Sequence, residues 1–200
     1  ARAIASWTKQ DPDPQTRQQV DDLLTAAEAG DAAAIGQLVD AFSGRLQFGT
    51  AGLRGALGPG PNRMNRVVVG QAAAAFATYL LDHGLAGGKV IIGFDARRNS
   101  DVFARDTAEI MAGAGFQAMI TPRPMPTPVV AFGIRHFDCV AGVVVTASHN
   151  PPQDNGYKVY LGDGSQIVPP ADAEISARIA EIAKHSLHDV PHSQSYDVLG

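Results

Sequence analysis

The sequence predicts an α/β domain: a mixed, mostly parallel sheet with helices on both faces, preceded by an N-terminal helical extension. Three observations predict it. Short apolar, β-branched runs alternate with segments of helical periodicity, the pattern of strand–helix–strand units. The central runs are apolar without alternation, as strands buried on both faces are. Gly (21) and Pro (13) fall mostly between those runs and punctuate a folded chain.

The elements follow in order. Asp13-Pro14 reads as a cap with Pro at the first helical position, and Val20, Leu23, Leu24 and Ala27 share one face behind it. Gly30 ends that helix. Asp31 caps a second, with Ile35, Leu38, Val39 and Phe42 as its apolar positions. Residues 1–47 form the extension and residues 48–200 the α/β domain. The domain opens on a Gly/Pro-rich loop, Phe48–Arg63. Asn65 caps a helix over Val67–Leu81, which stops at His83-Gly84. Val90–Phe94 is a strand, and Asn99 or Ser100 caps a helix reaching Gly113. Phe116–Thr121 is a strand, and Thr127-Pro128 starts a helix to Phe137. Val140–Thr146 is a fully buried strand, whereas Gly156–Leu161 alternates and is expected nearer an edge. Pro169-Pro170 opens a last helix with Ile175, Ile179 and Ile182 apolar, and HSQSYDVLG reads as a linker.

Composition narrows the function. With 45% hydrophobic and 18% charged residues, the 200-residue chain can bury a full core. Net charge is −4 and no basic stripe is present, which argues against nucleic acid as a partner. No apolar stretch is long enough to span a membrane, and the first residues show no secretory signal pattern. The single cysteine, Cys139, excludes an intrachain disulfide and reads as a small core hydrophobe. A reducing, cytoplasmic setting is expected.

Chemistry concentrates in Thr146–Lys158, TASHNPPQDNGYK. The stretch follows the most strand-like run of the chain, and ligands of open α/β sheets bind beyond the carboxyl ends of strands. A loop Ser followed by His is, alone, an ordinary turn residue. Here Asn150-Pro151-Pro152 stiffens the loop, Asp154-Asn155-Gly156 turns it into the next strand, and Lys158 returns on the far side. A serine-hydrolase reading fits poorly: the Gly-x-Ser-x-Gly elbow is missing, and adjacent Ser148 and His149 are badly placed for a nucleophile–base bond. The His and Cys residues show no zinc-ligand spacing.

Two further stretches carry weaker signals. In FGTAGLRG the glycines let backbone amides approach an anion and Arg54 offers a planar fork for phosphate, or the stretch is a plain loop with a surface Arg. In GFDARRNS a structural ion pair or helix-start role for Asp95 and Arg97 is preferred over ligand binding. TPRPMPTP is a rigid connector whose Arg123 is a further cleft candidate.

Taken together, FGTAGLRG, GFDARRNS, PMPTPVVAF and TASHNPPQDNGYKVY, in that order, resemble the first domain of the α-D-phosphohexomutase superfamily. The resemblance runs from Phe48 to the C-terminus, and TASHNPP…NGYK is its specific part. It implies that Ser148 is the phosphorylated nucleophile and, through its phosphate, a metal ligand. It implies that Lys158, ten residues on, is the general acid/base, that Arg54 is the arginine of the first active-site loop, and that His149 stands beside the phosphoserine. The implied reaction interconverts hexose 1-phosphate and hexose 6-phosphate through a hexose 1,6-bisphosphate, in the phosphomannomutase/phosphoglucomutase manner. Mg²⁺ is the implied cofactor and hexose 1,6-bisphosphate the activator. A sugar phosphate is the substrate, and the remaining domains of the same parent chain are the partners. The family's Asp-rich metal loop and sugar-reading loop do not occur in this sequence, so the 200 residues alone are expected to be inactive. The alternatives are a phosphopentomutase and a non-catalytic sugar-phosphate-binding module.

Overall fold

A computed structural model describes residues 2–200. Three helices lead: α1 (Arg2–Gln10), α2 (Pro14–Glu28) and α3 (Ala32–Phe42). Then follow β1 (Leu53–Ala56), α4 (Arg66–Asp82), β2 (Lys89–Phe94), α5 (Ser100–Gly113), β3 (Gln117–Ile120) and α6 (Thr127–His136). The chain closes with β4 (Ala141–Val145), β5 (Asp154–Leu161), α7 (Ala171–Ile182), a short 3₁₀ turn and β6 (Asp197–Val198). The predicted fold class holds. One six-stranded sheet runs in the order β1-β5-β4-β2-β3-β6. β4, β2, β3 and β6 are mutually parallel, and β5 and β1 continue antiparallel.

Helices cover both faces. The larger core places α4, α5 and α7 against Val90, Ile92, Val143, Val145, Tyr157 and Val159. On the other face Val130 and Ile134 of α6 pack on Ile91, Val144 and Tyr160. α4 is buried nearly all round, which explains its run of four alanines: small side chains let a helix sit closely between sheet and outer helices. The N-terminal helices attach through Trp7 and Val20, which join Val67 of α4 and Leu187.

Connectivity fixes where a ligand belongs. The chain leaves β2, crosses by α5 to β3 on one side, then returns by α6 to β4 on the other. The strand order therefore reverses between β2 and β4, and the loops after these two strands flank the crevice at which open α/β sheets bind ligands. Those loops are Asp95–Asn99 and Thr146–Gln153.

Local capping follows the sequence in three places. The side chains of Asp13, Asp31 and Asn65 each accept a bond from a backbone N–H of the first helical turn. Several expectations need correction. The loop Phe48–Arg63 contains β1, which pairs with β5. That pairing makes β5 internal and largely buried rather than edge-like. The pairing depends on glycine. A Cβ on Gly156 would stand 2.6 Å from the Thr146 carbonyl oxygen and 2.9 Å from that of Leu53, and Gly52 has φ +75 against the Tyr157 backbone. Asn99 holds the N-cap position of α5, but with φ +64 and no side-chain cap bond, and Ser100 Oγ donates to Asp95. In the segment read as a linker, Asp197 and Val198 add a strand beside β3. In α3, Ile35 and Val39 face outward, while Leu38 and Ala41 are buried.

Candidate active site

Ser148 lies three residues beyond the last residue of β4, inside the turn closed by Asn150 N–H on the Ala147 carbonyl, 3.0 Å. Its own N–H donates to Thr146 Oγ1, 3.0 Å. Its φ is +53, the left-handed region that non-glycine residues adopt only where the surroundings impose it. Ser148 is exposed, so its hydroxyl is open to a second reactant.

Lys158 meets it from β5. Strand alternation sends Tyr157 and Val159 into the larger core and Lys158 to the opposite face, opposite Val144. From there Lys158 Nζ donates to Ser148 Oγ at 2.9 Å. Partial burial lowers the Lys158 pKa below its usual value, and the neighbouring Arg54 guanidinium lowers it further. A lysine so placed gives up its proton more readily than one in water.

Arg54 arrives on β1, at the register position opposite Gly156. Its Nη1 donates to Asn150 Oδ1 at 3.1 Å, and Asn150 Nδ2 donates in turn to Asp154 Oδ2 at 3.0 Å. The glycines of FGTAGLRG serve this placement: Gly49 and Gly52 close a tight turn on each other, and Gly52 lies against β5. Ser148, Lys158 and Arg54 are thus brought together. His149 is exposed and bonds to none of these three among the described residues. Arg123 is exposed on the connection after β3, at the same edge of the sheet.

Sequence reasoning undervalued Arg97. The preference for an ion pair with Asp95 is met, Nε to Oδ2 at 3.4 Å, but the rest of the guanidinium reaches across to the Ser148 loop. Asn155 was also missed. It is fully buried and donates to Ser100 Oγ and to the Arg98 carbonyl, each at 3.0 Å, tying the two loops together behind the site. The signal available was Asp-x-Arg directly after a buried strand.

Magnesium can be tested against these side chains. A hard cation of this kind needs several oxygen ligands, carboxylates foremost. Among the described residues no group of three or more His, Cys, Asp or Glu is placed to hold a metal. Asp95 is engaged by Ser100 and the Arg97 backbone, and Asp154 by Asn150. The described side chains do not by themselves fit a magnesium site. The site is open to solvent at Ser148 and His149, both exposed. The groove of about 380 Å³ between α4, α5 and the segment after α7 includes none of these residues. No helix among the described residues is long and apolar enough to cross a membrane.

Known proteins resemble the chain over most of its length. A Haemophilus influenzae protein named a probable phosphomannomutase is 58% identical over 139 residues, which is 68% of this chain and 28% of that protein. The phosphoribomutase of Saccharomyces cerevisiae is 40% identical over 179 residues, 88% of this chain and 28% of its own length. A crystal structure described as a "putative phosphomannomutase" of Thermus thermophilus superposes with a TM-score of 0.68 at 31% identity, over 78% of this chain and 33% of that one. The chain therefore spans less than a third of the length of the two curated relatives. Residues 45–186 match the family model described as phosphoglucomutase/phosphomannomutase, alpha/beta/alpha domain I, and the chain belongs to that family.

Proposed function

We propose that this domain carries the phosphorylated nucleophile of a phosphohexomutase of the phosphomannomutase/phosphoglucomutase type, with Ser148 as the nucleophile. The observation that carries the reading is the 2.9 Å contact between Lys158 Nζ and Ser148 Oγ, on an exposed serine at the strand-order reversal. In the forward half, a hydroxyl of a hexose monophosphate attacks the phosphorus on Ser148, and the Oγ–P bond breaks as the new O–P bond forms. Lys158, as the neutral amine, takes the hydroxyl proton and delivers it to Ser148 Oγ. The products are unmodified Ser148 and a hexose 1,6-bisphosphate. In the return half the other phosphate of the bisphosphate goes back to Ser148 and Lys158 carries the proton the opposite way. Arg54 and His149 complement the charge of the transferring group, as phosphoryl transfer requires.

Mg²⁺ belongs to this reading with ligands supplied chiefly outside this chain, and hexose 1,6-bisphosphate serves as the activator that first loads Ser148. The full-length protein is then a cytoplasmic intramolecular phosphotransferase, and this domain alone is inactive. The test is peptide mass spectrometry of the full-length protein after incubation with Mg²⁺ and a hexose bisphosphate. Phosphate on Ser148 is expected. An unmodified Ser148 in folded, metal-loaded protein moves the reading to a sugar-phosphate-binding module.

A pentose substrate is the second reading. Relatives named phosphoribomutase or phosphopentomutase align over 88% of this chain, enough to take in part of residues 1–47. Turnover of mannose, glucose and ribose phosphates by the full-length protein separates the two.

A further inference from the structure

Arg97 binds the Ser148 loop at four points. Nη2 donates to the carbonyls of Ser148 (2.9 Å) and Asn150 (2.7 Å), and Nη1 to those of Pro151 (2.8 Å) and Asp154 (3.2 Å). Its Nε faces Asp95 Oδ2 at 3.4 Å. The four N–H groups of Nη1 and Nη2 are thereby taken up by loop carbonyls, and Nε is turned to Asp95, so the two terminal nitrogens have no donor to spare for a substrate phosphate. Arg97 itself is held in place. Asp95 Oδ1 accepts from the Arg97 N–H (2.9 Å) and from Ser100 Oγ (2.7 Å), and buried Asn155 donates to Ser100 Oγ (3.0 Å).

We infer that Arg97 is the positioning residue of the nucleophile loop: it fixes the left-handed backbone that presents Ser148 Oγ to Lys158, without touching the sugar phosphate. The inference rests on the reading of Ser148 as nucleophile. With its N–H on Thr146 and its carbonyl on Arg97, Ser148 keeps only its side-chain torsion free. A planar fork is needed, because one ammonium cannot span four carbonyls set around a loop. Charge alone does not account for the choice of arginine, since the four acceptors are neutral.

Arg97→Lys and Arg97→Ala in the full-length protein test this, with kcat, KM and amide exchange as readouts. Both variants are expected to keep KM within about threefold of wild type and to lose about 100-fold in kcat, the scale of a misplacement near 1 Å. Exchange should quicken at Ser148, Asn150 and Asp154, whose N–H groups bond within the loop, and not across the core. Should Arg97→Ala fail to fold, Arg97→Lys carries the test alone. Wild-type kcat in Arg97→Lys overturns the inference. So does lost kcat with an unchanged loop, which makes Arg97 a substrate contact, or with exchange raised throughout, which makes it a fold residue. A Ser148→Ala protein that still turns over removes the nucleophile reading instead, and the exchange contrast still decides whether Arg97 holds the loop.

Discussion

Lys158 Nζ donates to Ser148 Oγ, and the guanidinium of Arg54 is the nearby cation that helps lower the Lys158 pKa. Two strands that flank one another, β1 and β5, supply the pair of cations, and the loop between β4 and β5 supplies the hydroxyl.

The first prediction concerns pH. Lys158 acts as a base in its neutral form, so kcat/KM should fall as pH drops through its pKa. Removing Arg54 as Arg54→Gln takes away one of the two influences that lower that pKa, so the acidic limb should move to higher pH. Phosphate on Ser148 raises the lysine in both proteins, and the displacement between them reports Arg54. A pH–rate profile of each protein checks this, and coincident acidic limbs refute it. Lys158→Gln should abolish the limb and cost about 10²–10⁴ in kcat.

A second prediction separates the conformation of Ser148 from its chemistry. Both Ser148→Ala and Ser148→Gly remove the nucleophile and should be inactive. Only glycine adopts φ +53 without a Cβ penalty of about 1–2 kcal/mol, partly offset by its larger freedom in the unfolded chain. Ser148→Gly should therefore be the more stable of the two by up to about 1 kcal/mol in denaturant titration. The opposite order would mean that the loop relaxes out of the left-handed region once the hydroxyl is gone.

Cys139 gives a third. It is free and buried, and burial pushes its thiol up to about 11. The thiolate is the reactive form, so almost none is present at pH 8. The folded protein should resist thiol reagents at that pH and take up one equivalent when denatured. Rapid labelling of folded protein would place Cys139 at the surface.

How far the sequence speaks depends on how local each signal is. The buried strand Val140–Thr146 and the caps Asp13, Asp31 and Asn65 were legible, since strand composition and a cap are properties of a few adjacent residues. Ser148 and Lys158 stood out in the sequence because the one short stretch Thr146–Lys158 carries both, and the structure puts them 2.9 Å apart. β1 was not, because four residues in a Gly-rich stretch become a strand only through pairing with Leu53's partner Tyr157, about a hundred residues away in the chain. Arg97 failed for the same reason: its acceptors are the carbonyls of Ser148, Asn150, Pro151 and Asp154, and backbone acceptors leave no trace in side-chain identity. Ile35 and Val39 fit helical periodicity yet face outward, since periodicity marks a face without saying what covers it.

The last prediction joins fold to site through Gly156. A Cβ there would press on two backbone oxygens, those of Thr146 and Leu53, and neither belongs to a flexible side chain. Gly156→Ala should cost about 1–3 kcal/mol, the usual range for overpacking. Relief can come only by moving β1 or the start of the Ser148 loop, so Arg54 and Ser148 should be displaced together. Activity should then drop more than stability alone explains. Gly36→Ala is the control: its Cβ meets nothing within 4 Å on a helix, so it should stabilise by about 0.5–1 kcal/mol and leave turnover unchanged. Thermal melts and kcat for both variants decide the matter. A Gly156→Ala protein with wild-type kcat would show that β1 and the nucleophile loop are not mechanically linked.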